Sequence, residues 1–236
     1  AEKAIADGAS ILVLSDHMVD KDNAAIPSLL STAGLHHFLI RKGIRSEADI
    51  IVDSGEAREI MHFALLIGYG ASAICPRVAF KTIQQMSDSG FFNGGLKAVD
   101  AMDNYITAIK KGLLKTFSRM GISTVRSYFA AQIFEAVGLA SDFVDKYFTN
   151  TASRIEGIGL EQVARESVMR HERGFPKGDA APSILLDLGG QYHIRKGGEN
   201  HQWNPETIYK LQHATRTENY DVFKEYTLLA DDASRM

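Results

Sequence analysis

The chain has 236 residues, 45% of them hydrophobic and 23% charged, with 20 Gly and 5 Pro; this is the make-up of an ordinary globular protein and excludes disorder and collagen-like order. Lys and Arg number 26 against 29 Asp and Glu, for a net charge of -3, so no global positive field favours nucleic acid as a partner. The most apolar stretch, Phe63 to Ile67, stops far short of the roughly 18 residues a membrane-spanning helix needs, and the single cysteine, Cys75, excludes an internal disulfide and any site drawing several thiolates from this chain. A soluble protein of a reducing cytoplasm is expected. No basic segment followed by an apolar one opens the sequence, so no leader is expected, and the opening Ala1-Glu2-Lys3 reads as part of something longer.

In chain order, the first third repeats helix, short apolar strand and polar loop, the pattern of parallel β/α architecture. Ala1 to Asp7 reads as the tail of a helix closed by Gly8. Ile11 to Leu14 is a continuous apolar run, as in a strand buried on both faces. A helix begins near Pro27 and runs to Lys42-Gly43. The second strand is Asp49 to Val52, followed by a helix over Ala57 to Ile67 that ends at Gly68-Tyr69-Gly70. The third strand, Ala73 to Cys75, leads through Pro76 into a helix around Ala79 to Met86. The polar, glycine-containing stretch from Ser87 to Gly95 marks a domain boundary, with residues 1–90 before it and 91–236 after it.

Residues 96–121 form one long amphipathic helix. Ile122 to Tyr128 is expected as a short extended piece and Ala130 to Val137 as a helix closed by Gly138. Ser141-Asp142 caps a short helix over Phe143 to Phe148, and Leu160 to Arg173 is a further helix, followed by a linker to Pro182. Gln191 to Trp203 carries a hairpin signal around Gly197-Gly198. Asn204-Pro205 starts a helix with Asn as cap and Pro in the first turn, and Val222, Phe223, Tyr226 and Leu229 keep helical register beyond it. The expected fold class is α/β, with partial (β/α) barrel-like parallel units followed by a mainly helical region with one β-hairpin near 190–204.

Among possible sites, Gly68-Tyr69-Gly70-Ala71-Ser72-Ala73 matches the letters of a dinucleotide fingerprint, but a helix precedes and a strand follows, the reverse of what pyrophosphate binding needs. Ser15-Asp16-His17, Asp53-Ser54-Gly55-Glu56 and Pro76-Arg77 follow the three strands, where a β/α barrel places its functional groups; Ser54 also suits capping of the next helix. His36 and His37, adjacent on a helix, point to different faces and are poor partners for one metal. His62 is expected as a packed core or interface histidine and Cys75 as a buried structural thiol. Gly157-Ile158-Gly159 reads as a tight turn. No Ser/His/Asp set, zinc-protease or phosphate-loop motif occurs, so no catalytic, cofactor-binding or metal residue is assigned from the chemistry.

Several strings occur in the order found in one family. They are residues 5–16 (IADGASILVLSD), 25–30 (AIPSLL), 62–71 (HFALLIGYGA), 111–115 (KGLLK), 120–124 (MGIST), 131–136 (AQIFEA), 157–160 (GIGL) and 203–207 (WNPET). Over nearly its whole length the chain resembles the large (alpha) subunit of glutamate synthase, from the C-terminal part of its central domain (1–90) into the start of its FMN-binding synthase domain (91–236). The resemblance implies an oxidoreductase that moves the amide nitrogen of glutamine, as ammonia through a tunnel, onto 2-oxoglutarate, using FMN, an iron–sulfur cluster, and a small subunit or ferredoxin as partner. It also implies that the cysteine nucleophile, the main FMN contacts and the cluster cysteines lie outside this segment. The segment would then be a scaffold between amidotransferase and FMN sites, with Ser123, Thr124 and Ser127 as candidates for the tunnel wall. Two alternatives stay open: a free-standing β/α binding or interaction domain, and an independent β/α enzyme using Asp16, His17, Asp53 and Glu56. The electron donor is left open by the sequence.

Overall fold

The computed structural model describes residues 1–92, 94–176, 189–190 and 193–233. It divides into two compact units, Ala1–Asp179 and Ala180–Met236.

The first unit opens with α1 (Glu2–Ala6), β1 (Ile11–Ser15) and α2 (Ser28–Arg41), then a 3-10 turn (Arg45–Glu47), β2 (Asp49–Asp53), α3 (Ile60–Gly68), β3 (Ala73–Cys75) and α4 (Arg77–Asp88). The strands form a parallel sheet in the order β1-β2-β3, with Leu12 opposite Ile50, Leu14 opposite Val52, and Val52 opposite Ile74. Since neighbours in register share a face, these side chains project to one side of the sheet. There Ile50 and Val52 pack with Ala57, Phe63, Leu66, Ala71 and Ile109. The opposite face carries Ile11, Val13, Ser15, Ile51, Asp53, Ala73 and Cys75, and Ile11 and Val13 are 55% and 60% exposed. β1 is therefore covered on one side only, not on both as its unbroken apolar run suggests. Three strands cannot curl back to cover their own inner face, which in a closed barrel takes about eight.

α3 starts at Ile60, later than the expected Ala57, because its N-terminus is set by a capping box. The His62 ring Nδ1 accepts from the backbone N–H groups of Arg58 and Glu59 at 3.1 and 3.2 Å. His62 is thus a half-buried capping residue rather than a core one, and Ser54 does not cap this helix.

After α4 come α5 (Ala98–Arg119), α6 (Val125–Tyr128), β4 (Glu135–Leu139), α7 (Ser141–Tyr147), β5 (Ala152–Ile158) and α8 (Leu160–Gly174). The boundary expected at residue 90 falls in the turn between α4 and α5, which pack together inside one unit. Two local expectations fail here. Val125 to Tyr128 is a helical turn, capped by Thr124 Oγ1, which accepts from Ser127 N–H. The helix expected over Ala130 to Val137 is replaced by an irregular loop and a strand, because Ala130 and Gln132 adopt positive φ of 55° and 54°, which a right-handed helix excludes. β4 and β5 pair in parallel, with α7 as the crossover between them.

The loop before β4 closes the end of α3. Ala130 N–H donates to Ile67 O at 3.0 Å, an oxygen that also accepts from Gly70 N–H at 3.1 Å, and Gln132 N–H donates to Gly68 O at 3.1 Å, a carbonyl at the end of the helix. Gln132 Nε2 also lies 2.9 Å from His37 Nε2, and Tyr69 OH bonds Thr151 Oγ1 at 2.7 Å in the interior. Ala33, Tyr69, Phe143, Val144 and Phe148 complete this seam between α2 and α7.

Gly157 needs no special dihedral but has no room for a side chain. A Cβ there would stand 2.3 Å from the carbonyl oxygen of Gly138 on the neighbouring strand. Backbone cannot yield as a side chain tip does, so Gly157→Ala should separate β4 from β5 at a cost of about 2 kcal/mol. Urea unfolding of the variant checks this; an unchanged midpoint would show that the strands can part freely.

In the second unit, α9 (Pro205–Thr217) and α10 (Tyr220–Ala233) pack together. Asn204 caps α9 as expected, its Oδ1 accepting from Glu206 and Thr207 N–H at 2.9 and 3.0 Å with Pro205 in the first turn. Of the expected hairpin, Gln191 and Tyr192 lie outside the described residues, as does the linker from 177 to 182. The turn is present, with Gly198 N–H donating to Arg195 O at 2.9 Å and Glu199 N–H to Gly189 O at 2.8 Å. No strand forms among the described residues from 193 to 203.

Candidate functional site

The parallel sheet brings the three strand-end loops to one edge, and the residues singled out there meet in a single polar cluster. Asp16 Oδ1 pairs with Arg77 Nη2, while Asp16 Oδ2 accepts from Ser54 Oγ and Gly55 N–H, both at 2.8 Å. Asp53 Oδ2 accepts from Ser15 Oγ at 2.8 Å. Asp53 Oδ1 lies 3.4 Å from Arg77 Nε, within ion-pair distance though outside hydrogen-bond geometry. Arg77 therefore sits between two carboxylates from two different loops. Ser54 is buried and also accepts from Glu56 N–H at 3.0 Å. Glu56 reaches the start of α2, its Oε2 accepting from Ser28 N–H at 2.6 Å, a carboxylate placed where the helix dipole favours it.

A cavity of about 550 Å³ opens beside this cluster, lined by Ser15, Asp16, Asp20, Asn23, Asp53 and Ser54 among others. Its acids are all engaged. Asp20, exposed, accepts through Oδ1 from Asp22 N–H, Asn23 N–H and Asn23 Nδ2 at 2.8 to 2.9 Å. These hydrogen bonds from Asp22 and Asn23 hold its carboxyl below the usual range. His17 is exposed and joins the cluster only through its backbone N–H, which donates to Ser15 Oγ at 3.1 Å. Asp16, Asp53 and Glu56 come together as the loop pattern suggests, yet each is occupied by a structural partner. A general acid or base must exchange its proton with a substrate; here each carboxylate has at least one oxygen held by a structural partner, while Asp53 Oδ1 has no hydrogen bond.

Cys75 is exposed, correcting the expected buried thiol, because β3 ends on the open face of the sheet. Partial desolvation and then the neighbouring Asp53 push its thiol up, outweighing Arg77. A raised thiol is a poor nucleophile at neutral pH.

The histidine pair is buried and split between two tasks. His36 Nδ1 accepts from Arg45 Nε at 2.9 Å, and Arg45 bridges onward to Ala48 O at 2.6 Å and Gly70 O at 3.0 Å. Gly70 sits against the ring with φ of 102°, and a Cβ there would lie 2.4 Å from His36 Nδ1. Burial, then Arg45 and His37, hold His36 down to about 4. His37 is lowered in the same way, by burial and Arg41. No group of three or more His, Cys, Asp or Glu side chains able to hold a metal occurs among the described residues, and none of their helices is long and apolar enough to cross a membrane.

Ser123, Thr124 and Ser127 are exposed. Thr124 Oγ1 donates to Ser127 Oγ at 2.9 Å and accepts from Ser127 N–H, so these hydroxyls cap α6. Gly157-Ile158-Gly159 is the end of β5 running into α8, with Gly159 N–H donating to Gln162 Oε1 at 3.1 Å. Arg77, the hub of the cluster, was visible in the sequence only as the residue after Pro76. Nothing there indicated that it would bridge Asp16 and Asp53.

An iron–sulfur cluster does not fit these residues, since one cysteine cannot supply its thiolates. The strand-end cluster does not suit a flavin phosphate either. Its one cation is already shared by two carboxylates, and the donors Ser54 Oγ and Gly55 N–H are committed to Asp16.

Comparison with known proteins gives a consistent picture. A family model described as the glutamate synthase central domain matches residues 1–140. The chain is 47% identical over 232 residues to the glutamate synthase [NADPH] large chain of Bacillus subtilis, covering 98% of this chain and 15% of that protein. It is 41% identical over 239 residues to the ferredoxin-dependent glutamate synthase of Pyropia yezoensis, covering 97% and 15%. To the glutamate synthase [NADH] of Saccharomyces cerevisiae it is 41% identical over 226 residues, covering 93% and 10%. The chain thus spans at most 15% of the length of these relatives.

Proposed function

The chain belongs to the glutamate synthase central domain family, and on that premise we propose that it is a non-catalytic scaffold segment of a glutamate synthase large chain. In that enzyme glutamine and 2-oxoglutarate yield two glutamates at the cost of a reductant, and this segment holds amidotransferase and flavin sites in fixed relation. The observation that carries the reading is the locked state of the strand-end face. Where a β/α enzyme keeps its working groups, this chain has Asp16 and Asp53 closed onto Arg77 and Glu56 closed onto α2. FMN and the iron–sulfur cluster then belong to other parts of the longer protein. The relatives carry NADPH, NADH and ferredoxin in their names, so the donor is not tied to the features this chain shares with all three.

The first test is flavin retention. The purified chain, mixed with FMN and desalted, should emerge colourless at the visible flavin bands; retained flavin would place a cofactor site within residues 1–236 and end the scaffold reading.

The finer part of the proposal is that Ser123, Thr124 and Ser127 line the path of ammonia, where neutral hydroxyls offer hydrogen bonds without trapping it as ammonium. Their exposure in one short segment supports this. In the full enzyme, Ser123→Val with Thr124→Val should lower the glutamine-dependent rate severalfold and spare the rate with added ammonia. Equal rates in both assays would remove the tunnel role and leave the scaffold role standing.

A further inference from the structure

We propose that the C-terminal half of α5 is a docking surface for an acidic protein partner. From Asn104 to Phe134 the sequence contains no acidic residue and five basic ones, Lys110, Lys111, Lys115, Arg119 and Arg126, in a chain whose overall charge is -3. All five are exposed. None enters an ion pair among the described residues. At about 100° per residue, Lys111, Leu114, Lys115 and Ser118 share one strip of the helix, with Lys110 and Arg119 on its flanks.

The helix dipole accounts for Arg119 in the last turn, but its effect fades within that turn and leaves Lys110 and Lys111 unexplained. The arrangement also works against the helix. Lys111 with Lys115, and Lys115 with Arg119, are like-charge pairs four residues apart, each unfavourable in isolation. A local rule broken twice, with no ion pair to relieve it among the described residues, marks a functional surface.

At the centre of the cations Leu114 is 62% exposed. An apolar anchor ringed by charge has the anatomy of a protein interface. Outside this stretch acids outnumber bases, which opposes the extended negative field of nucleic acid or an anionic membrane and favours a partner whose acidity is local. A second copy docked symmetrically through α5 is a poor fit, since the exposed acids on α5 are only Asp100 and Asp103.

The test uses the whole chain and a labelled helical peptide presenting glutamates around one leucine, read by fluorescence anisotropy at increasing salt. Binding should weaken steeply with salt. Lys111→Glu with Lys115→Glu should weaken it more than about tenfold, and Leu114→Ala about tenfold, with circular dichroism melts unchanged because these side chains are exposed. Absence of peptide binding, or equal binding by the charge-reversed chain, overturns the proposal. So does a preference for a short DNA duplex or for equimolar phosphatidylserine–phosphatidylcholine vesicles over the peptide, or sedimentation showing self-association that the charge reversal abolishes. None of these outcomes bears on flavin retention or ammonia transfer, so the scaffold reading stands or falls separately.

Discussion

Arg77→Met should cost the chain about 3 kcal/mol of stability, the low end of what breaking a largely buried ion pair does. Among the described residues the guanidinium is the one cation paired with both Asp16 and Asp53, and the three side chains keep only 16% to 25% of their surface. Without it two carboxylates face one another with their remaining donors unchanged, and the strand ends lose the link from β3 back to β1. With a denaturant slope of about 2 kcal/mol per molar urea for a chain of this size, the midpoint should fall by roughly 1.5 M. The cause can be separated from lost packing. Asp16→Asn and Asp53→Asn added to Arg77→Met should restore more than half of the loss, since an amide still accepts from Ser54, Gly55 and Ser15 but carries no charge. A loss below about 1 kcal/mol, or a triple variant no better than the single one, would show that the cluster is an ordinary surface pair of small consequence.

The second large effect is an acid transition governed by His36. In an unfolded chain the imidazole titrates near 6.5; in the fold, burial, then Arg45 and then His37 hold it down to about 4. Below pH 6.5 the unfolded chain takes up a proton that the folded chain refuses, so the stability present above 6.5 declines as pH falls and is lost by about pH 4. His37, lowered by burial and Arg41, acts in the same direction. Allowing for partial screening, His36 alone accounts for about 2 kcal/mol. Urea midpoints measured from neutral pH down to about 4 should therefore drop, and His36→Gln, whose amide oxygen can still accept from Arg45, should flatten the drop. If the His36→Gln profile kept the wild-type slope, the acid sensitivity would have to come from elsewhere.

The legible parts of the sequence were those in which neighbouring residues agree. Ile11 to Ser15 and Asp49 to Asp53 are apolar runs ended by polar loops, and Asn204-Pro205 carries its cap and its first-turn residue side by side. The stretch from Ala130 to Val137 misleads because Ala, Gln and Glu suit a helix. What decides its path is remote: the carbonyls of Ile67 and Gly68 at the end of α3, and a partner strand beginning at Ala152. Propensity is a weak prior against such contacts. Cys75 and Val13 misled for a related reason, since a run of apolar letters does not say whether a second layer covers the sheet. The candidate site was legible as a list of strand-end residues but not as a chemical state. Asp16 and Asp53 look equally suited to catalysis or to structure until Arg77 is placed between them.

The seam at the end of α3 also orders events in time. The strand pairings of the first sheet lie between neighbouring segments, which form quickly, whereas Ile109 of α5 joins its core later in synthesis. The residues that close α3, Ala130 and Gln132, are synthesised more than sixty positions later than Ile67 and Gly68, a delay of roughly six seconds at about ten residues per second. Until then the carbonyl of Gly68 and the ring of His37 lack the partners that Gln132 brings. All the strands of the first sheet are therefore synthesised well before the residue that closes α3.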